Sequence, residues 1–150
     1  MKTIFKSLLV ATLLITQMPL SLAHHSVYGR FDVTKLQKTR GEFRDADLIN
    51  PHAWFHFYEV DAKGARVMKD GKPVLWSFET PGPAMLRRIG ITEKLYQPGA
   101  LYTIYYSPQL DGDTKGLFDI SVFPDGKVLL IGNKSDPRLQ SVLKELGQIP

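Results

Sequence analysis

Turn-forming residues divide the chain between Gly41 and Gly132 into short segments. These turn-forming residues are the pairs Asn50-Pro51, Asp70-Gly71, Pro98-Gly99 and Asp111-Gly112 and the triplet Pro124-Asp125-Gly126. Short apolar or alternating runs between such residues are typical of β-strands joined by tight turns. The pattern predicts strands at 41–49, 52–60, 73–79, 100–107, 116–123 and 127–131.

The segment 52–60 shows the alternation most clearly. His52, Trp54 and His56 fall on one face, whereas Ala53 and Phe55 fall on the other. Successive side chains of a strand point to opposite faces, and both faces here carry aromatic residues. We therefore expect a strand that is buried on one side and partly covered on the other.

Two helices are marked by their end signals. Pro83 suits the first turn of a short helix over 83–89, and Gly90 suits its C-terminal cap. Ser135-Asp136-Pro137 begins a second helix that extends to residue 146 and ends at Gly147. The apolar residues of the second helix share one face, so we expect it to dock on the strands.

These elements predict a mainly β fold. Five or six short strands, with one short helix inserted between the third and fourth, match the order of a small OB-like β-barrel, to which a C-terminal helix is added. A small sandwich or another open barrel is the alternative, because spacing along the chain does not define strand order.

The first 23 residues have the features of an export signal. Lys2 and Lys6 precede an apolar run, and Ser21 and Ala23 supply the small residues that signal peptidase requires. We therefore predict a periplasmic or secreted protein. Its predicted parts are a signal peptide at 1–23, an N-terminal arm at 24–40, the barrel at 41–132 and a C-terminal helical extension at 133–150.

Composition limits what the mature chain can be. The 127 residues from His24 to Pro150 suffice for one hydrophobic core, and the absence of cysteine excludes disulfides. Without Lys2 and Lys6 the chain has 17 basic and 15 acidic residues, a net charge of +2. This charge does not favour nucleic-acid binding, and after signal cleavage no segment has the length of a membrane span.

Several short sequence motifs resemble those of a family of small exported bacterial proteins of unassigned function. The members of this family begin with an HHS motif and contain an NPHA motif. The matching segments are Ala23-His24-His25-Ser26, Asn50-Pro51-His52-Ala53-Trp54, Trp76-Ser77-Phe78-Glu79 and Pro83-Ala84-Met85-Leu86-Arg87-Arg88. The similarity continues to Gly132. The resemblance implies export and a compact β-rich domain, and it implies no activity. Two departures are Ile89 and Ile91, where a tryptophan is usual beside Gly90, and the helix that follows Gly132.

The four histidines form two pairs, His24/His25 and His52/His56. Imidazole is a common transition-metal ligand, and signal cleavage would add the α-amine of His24 as a further nitrogen. Ligands of one ion must bring their nitrogens within roughly 4 Å. His52 and His56 lie roughly 13 Å apart along an unbulged strand. The predicted metal ligands are therefore His24, His25 and His52, with copper as the candidate metal, while His56 is expected to be structural.

Two other functional hypotheses fit the same residues. His24 and His25 could be solvated terminal residues, and His52 could close the Asn50-Pro51 turn by a hydrogen bond. The chain would then be a metal-free accessory domain that binds a small ligand, peptide or sugar. A small copper oxidoreductase is the third hypothesis. No spacing of Ser, His and Asp predicts a hydrolytic site, so we name no catalytic residue.

Overall fold

The computed structural model describes residues 29–150, apart from the side chain of Glu93, and β-strands dominate this part of the chain. The strands are β1 (Gln37–Asp47), β2 (His52–Glu59), β3 (Met68–Lys69), β4 (Lys72–Pro73), β5 (Leu75–Pro81), β6 (Leu101–Pro108), β7 (Lys115–Val122) and β8 (Val128–Leu130). The helices are α1 (Pro83–Arg88) and α2 (Pro137–Glu145), and a 3-10 helix spans Glu93–Leu95. The predicted mainly β fold is confirmed.

Six strands form one sheet in the order β5-β2-β1-β6-β7-β8, in which neighbours are antiparallel. A further parallel pairing joins β5 to β7, where Ser77 lies opposite Lys115 and Glu79 opposite Leu117. Five strands therefore close into a ring, and β8 continues from β7 as a hairpin. The strands β3 and β4 form a separate small hairpin.

The interior of the ring is rich in aromatic side chains. The inward face of β2 supplies Ala53, Phe55 and Phe57, each of which is at most 1% exposed. These residues pack with Phe43, Phe78, Tyr96, Tyr102 and Phe118, whose ring centroids lie 4.9–6.4 Å from those of their neighbours. Such distances suit edge-to-face and tilted aromatic contacts. The alternation predicted for this strand is thus observed, and it decides which residues form the core.

The helices lie where their end signals predict. The first helix is α1, and Gly90 follows it with a φ of +81° that favours glycine. The second is α2, in which the Asp136 side chain accepts a hydrogen bond from the Arg138 backbone N–H as an N-cap. Leu139 and Leu143 of α2 are buried against Ile120 of β7, so this helix docks on the ring as expected.

Several strand boundaries lie one to four residues from the predicted ones, and the starts of β1 and β5 have an identifiable reason. β1 begins at Gln37 rather than at residue 41, because residues 37–42 pair with β6 despite their polar composition. β5 begins at Leu75, since Lys72 and Pro73 belong to the small hairpin. Among the residues described, we find no helix of the length and apolarity that a bilayer span requires.

Candidate functional site

His52 lies at the first position of β2, next to a buried carboxylate of β5. The His52 Nδ1 atom is 3.3 Å from Oε1 of Glu79. Glu79 pairs with Trp54 across the two strands, and this register makes it the diagonal neighbour of His52 on the same face. The side chain of His52 is 40% exposed and that of Glu79 only 6%. The imidazole thus stands at the surface with a carboxylate beneath it.

Arg30 completes this cluster from the segment before β1. Its Nη1 donates to Oε2 of Glu79 at 2.7 Å, and its guanidinium lies 5.1 Å from the Trp54 ring centroid. Both oxygens of Glu79 therefore face a nitrogen partner, since Oε1 faces His52. A buried carboxylate held in this way has polar partners at both oxygens and fixes the orientation of the side chains around it.

Backbone hydrogen bonds anchor the segment that carries Arg30. The N–H of Asp32 donates to the carbonyl of Pro108, and the N–H of Leu110 donates to the carbonyl of Arg30. Phe31, between them, is 2% exposed. The segment from Arg30 to Asp32 is therefore fixed beside the end of β6, and the Arg30 side chain reaches Glu79 from there.

His56 has a different environment, although it lies on the same strand. Its Nδ1 is 2.9 Å from the hydroxyl of Ser77, and its Nε2 is 3.1 Å from Oδ2 of Asp47. Both ring nitrogens are thus occupied by protein partners, and the side chain is 12% exposed. This arrangement agrees with the structural role expected of His56.

Of the three predicted metal ligands, His52 lies in the described part of the chain. His24 and His25 lie outside the described residues. Within 29–150 there is no group of three or more His, Asp or Glu side chains that could hold a metal ion. The described residues therefore supply one imidazole and its carboxylate partner.

Sequence reasoning did not assign Arg30 and Glu79 to His52. Glu79 is 27 residues from His52, and Arg30 is 49 residues from Glu79. The register between β2 and β5 brings the carboxylate of Glu79 to His52. This register cannot be read from the sequence, because the small β3–β4 hairpin lies between the two strands in the chain. The one available signal is that Glu79 is the single charged residue of β5, on the side of the strand opposite to Phe78.

A second polar cluster lies between α2 and the ring. Asp119 of β7 is 3% exposed, and its Oδ2 accepts a hydrogen bond from the Ser107 hydroxyl at 2.9 Å. Burial raises the pKa of Asp119 from 3.8 to about 6, although the Ser107 hydrogen bond and the charge of Arg138 act in the opposite direction. Arg138 of α2 reaches the Ser107 hydroxyl at 3.2 Å and the Lys35 carbonyl at 2.7 Å. Ser107 and Asp119 are buried in this cluster, the Arg138 side chain is 22% exposed, and their contacts hold the helix in place.

Comparison with known proteins gives one result. No curated protein and no solved structure matches the chain. Residues 12–119 match a family of unknown function, DUF6152. This match covers most of the chain, including the segments of β1, β2 and β5 around His52. The expectation of a family without an assigned activity is therefore confirmed, and the chain belongs to the DUF6152 family.

Proposed function

We propose that this protein is an exported binding module that holds one Cu(II) ion at its mature N-terminus. In this proposal, residues 1–23 are a signal peptide, and cleavage after Ala23 frees the α-amine of His24. The amine and imidazole of His24 are the primary ligands, and His52 supplies the second imidazole. His25 competes with His52 for that position.

The observation that carries the proposal is the pairing of His52 with Glu79. Histidines that bind metals usually direct their other ring nitrogen to a carboxylate or carbonyl, which fixes the tautomer and the ring orientation. The 3.3 Å approach of Nδ1 to Oε1 of Glu79 supplies such a partner and leaves Nε2 for an external ligand. Because Arg30 engages the other oxygen, Glu79 acts as an orienting group and not as a ligand.

The position of Arg30 supports a meeting between His24 and His52. Arg30 touches the same carboxylate as His52, and Arg30 is six positions after His24. Six residues extend over at most about 20 Å. The chain that precedes Arg30 is therefore long enough for His24 to reach the exposed imidazole of His52.

Copper is the metal that fits these donors. Cu(II) prefers tetragonal coordination by nitrogen, which a terminal amine and two imidazoles can supply. All these donors bind in their deprotonated form, so we expect copper affinity to fall as the pH falls. The test begins with intact-mass analysis of protein exported to the periplasm, which should give a chain that starts at His24.

Calorimetric titration of this mature protein with Cu(II) should then show about one ion per chain. His52→Ala should weaken binding, and a single residue added before His24 should weaken it further, because the extension removes the terminal-amine geometry. His56→Ala is the matched control on the same strand, and it should leave the affinity unchanged, because both of its ring nitrogens already have protein partners.

If His52→Ala and the N-terminal extension both leave copper affinity unaltered, the copper site does not exist. The better description would then be a metal-free periplasmic module for a small ligand, peptide or sugar. The small copper oxidoreductase predicts a further result, namely that the copper-loaded protein consumes oxygen in the presence of a reductant. An absence of oxygen consumption with bound copper would reject the oxidoreductase and leave the binding module.

We also propose that the closed ring is an OB-like barrel. Supporting features are the closure of five strands through a parallel contact between β5 and β7 and the position of α1 between β5 and β6. Amide-to-amide contacts between Phe78 and Gly116 in solution NMR would test this closure. Their absence in folded protein would favour an open sheet.

A further inference from the structure

A cavity of about 360 Å³ lies between α1 and the strands, within the size range of roughly 300–1,000 Å³ of ligand pockets. Its apolar lining comes from Leu48 after β1, Phe55 of β2, Leu86 of α1 and Ile91 after that helix. The His52 cluster supplies none of the lining residues. This cavity is therefore separate from the proposed copper site.

The cavity exists because α1 covers the ring with few buried side chains. The helix has six residues, and Leu86 is its one buried residue. Met85 of the same helix is 51% exposed, and Ile89 after it is 40% exposed. A helix that packs through a single leucine leaves a gap against the ring beside it, and Phe55, which is 1% exposed, lies at the floor of this gap.

The described charged side chains that line the cavity are both basic. Arg87 of α1 and Lys94 of the 3-10 helix line it together with the hydroxyl-bearing Thr92. Among the side chains that the structure describes, no acidic one lines the cavity. Neither Arg87 nor Lys94 forms an ion pair with another described side chain. Two cations at an apolar cavity complement a ligand that has one anionic end and one apolar end.

We propose that this cavity binds a small aliphatic carboxylate. The apolar tail lies against Leu48, Phe55 and Ile91, where its burial is favourable. The carboxylate lies between Arg87 and Lys94, since a guanidinium donates two parallel hydrogen bonds to a carboxylate. This role goes beyond copper binding, and it uses neither the mature N-terminus nor His52.

Octanoate is the probe for the test, and 1-octanol and octylammonium are matched probes with the same chain and a different head group. Calorimetry on the purified protein should show saturable octanoate binding and binding of 1-octanol that is about tenfold weaker or more. Octylammonium should not bind. Amide shifts in NMR spectra should locate octanoate at residues 86–94 and at Phe55.

The double variant Arg87→Gln/Lys94→Gln should weaken octanoate binding about tenfold or more and leave 1-octanol binding unchanged. Arg88→Gln is the matched control, because Arg88 follows Arg87 in α1 and does not line the cavity. Thr92→Trp places an indole at the cavity and should abolish binding of both probes. Circular dichroism and thermal unfolding check that each variant folds.

Several results would overturn the proposal. These are the absence of saturable octanoate binding, equal affinity for octanoate and octylammonium, and an unchanged affinity in the double variant. Self-association of the protein that Thr92→Trp abolishes and octanoate does not affect would identify the cavity as a contact between copies. Amide shifts confined to other residues would place the carboxylate elsewhere.

Discussion

Glu79 joins two parts of the chain that are far apart in sequence. One oxygen of its carboxylate receives the Arg30 guanidinium and the other faces the His52 imidazole. A carboxylate that is 6% exposed needs such partners, because a buried anion without them destabilises the fold strongly. The same contact therefore anchors the N-terminal segment and orients the histidine.

This double role leads to a prediction for Glu79→Gln. The amide oxygen can still accept a hydrogen bond from Arg30, whereas the charge that fixes the His52 tautomer is lost. We expect copper affinity to fall about 10- to 100-fold, the usual effect of changing a partner of a metal-bound histidine. Titration with Cu(II) measures the affinity, and the metal-free melting temperature reports the fold. An unchanged affinity would exclude Glu79 as the orienting group of a copper ligand.

The C-terminal helix α2 is held to the ring by apolar and polar contacts. Leu139 and Leu143 are buried against Ile120, while Arg138 reaches the Lys35 carbonyl and the Ser107 hydroxyl. The helix therefore contacts the described segment before β1 as well as the strands. The helix α2 thus packs on the ring and also holds the segment before β1 in place.

Truncation of the Leu143 side chain tests how much the packing of α2 contributes to the free energy of unfolding. We expect Leu143→Ala to lower the free energy of unfolding by about 2–3 kcal/mol, because the side chain is 5% exposed and its removal leaves a cavity. Lys144→Ala, at the exposed neighbouring position, is the control and should change stability by less than about 0.5 kcal/mol. Urea unfolding measures both values. Equal effects of the two changes would mean that the helix does not contribute to the core.

The elements that the sequence predicted well are those with local signals. The residues Pro83 and Gly90 define α1, and Asp136 and Gly147 define α2, because caps act within one turn of the helix. The alternation of β2 likewise predicts its buried face, since strand periodicity depends only on neighbouring residues.

The features that the sequence did not predict depend on contacts between distant segments. Residues 37–40 are polar and mostly exposed, and they are a strand because β6 pairs with them. The partners of His52 follow from the β2–β5 register and from the anchoring of Arg30 beside β6. Neither arrangement has a local sequence signal. The sequence therefore predicts His52 as a candidate ligand but does not predict Glu79 as its partner.

The stability of the whole molecule should depend on pH through Asp119. Its pKa is about 6 in the folded protein, because burial favours the protonated form, against an ordinary value of 3.8. The folded state therefore binds more protons than the unfolded state between these values, and stability falls as the pH rises from about 4 to about 6. Below about 4 this contribution is fully present.

The variant Asp119→Asn isolates this effect from the other carboxylates. Hydrogen bonds from partner side chains lower the pKa values of Asp32, Glu42 and Asp136, so these groups favour the opposite trend. We expect the stability of the wild type relative to the variant to fall by about 2–3 kcal/mol between pH 4 and pH 7. Urea unfolding at pH 4, 5, 6 and 7 measures the difference. A difference that stays constant with pH would show that Asp119 does not titrate in this range.

The parallel contact between β5 and β7 also has a consequence for folding kinetics. It joins residues 38 positions apart, such as Ser77 and Lys115, whereas the β7–β8 hairpin joins close neighbours in the chain. Contacts with a long loop form late, because the loop entropy must be overcome first. Gly116 lies at the end of β7 that pairs with both β5 and the last residues of β6, and a Cβ there would come within 2.5 Å of the Tyr106 ring of β6. Stopped-flow experiments on Gly116→Ala should therefore show a faster unfolding rate and a nearly unchanged refolding rate. A slower refolding rate would instead place closure of the ring at the folding transition state.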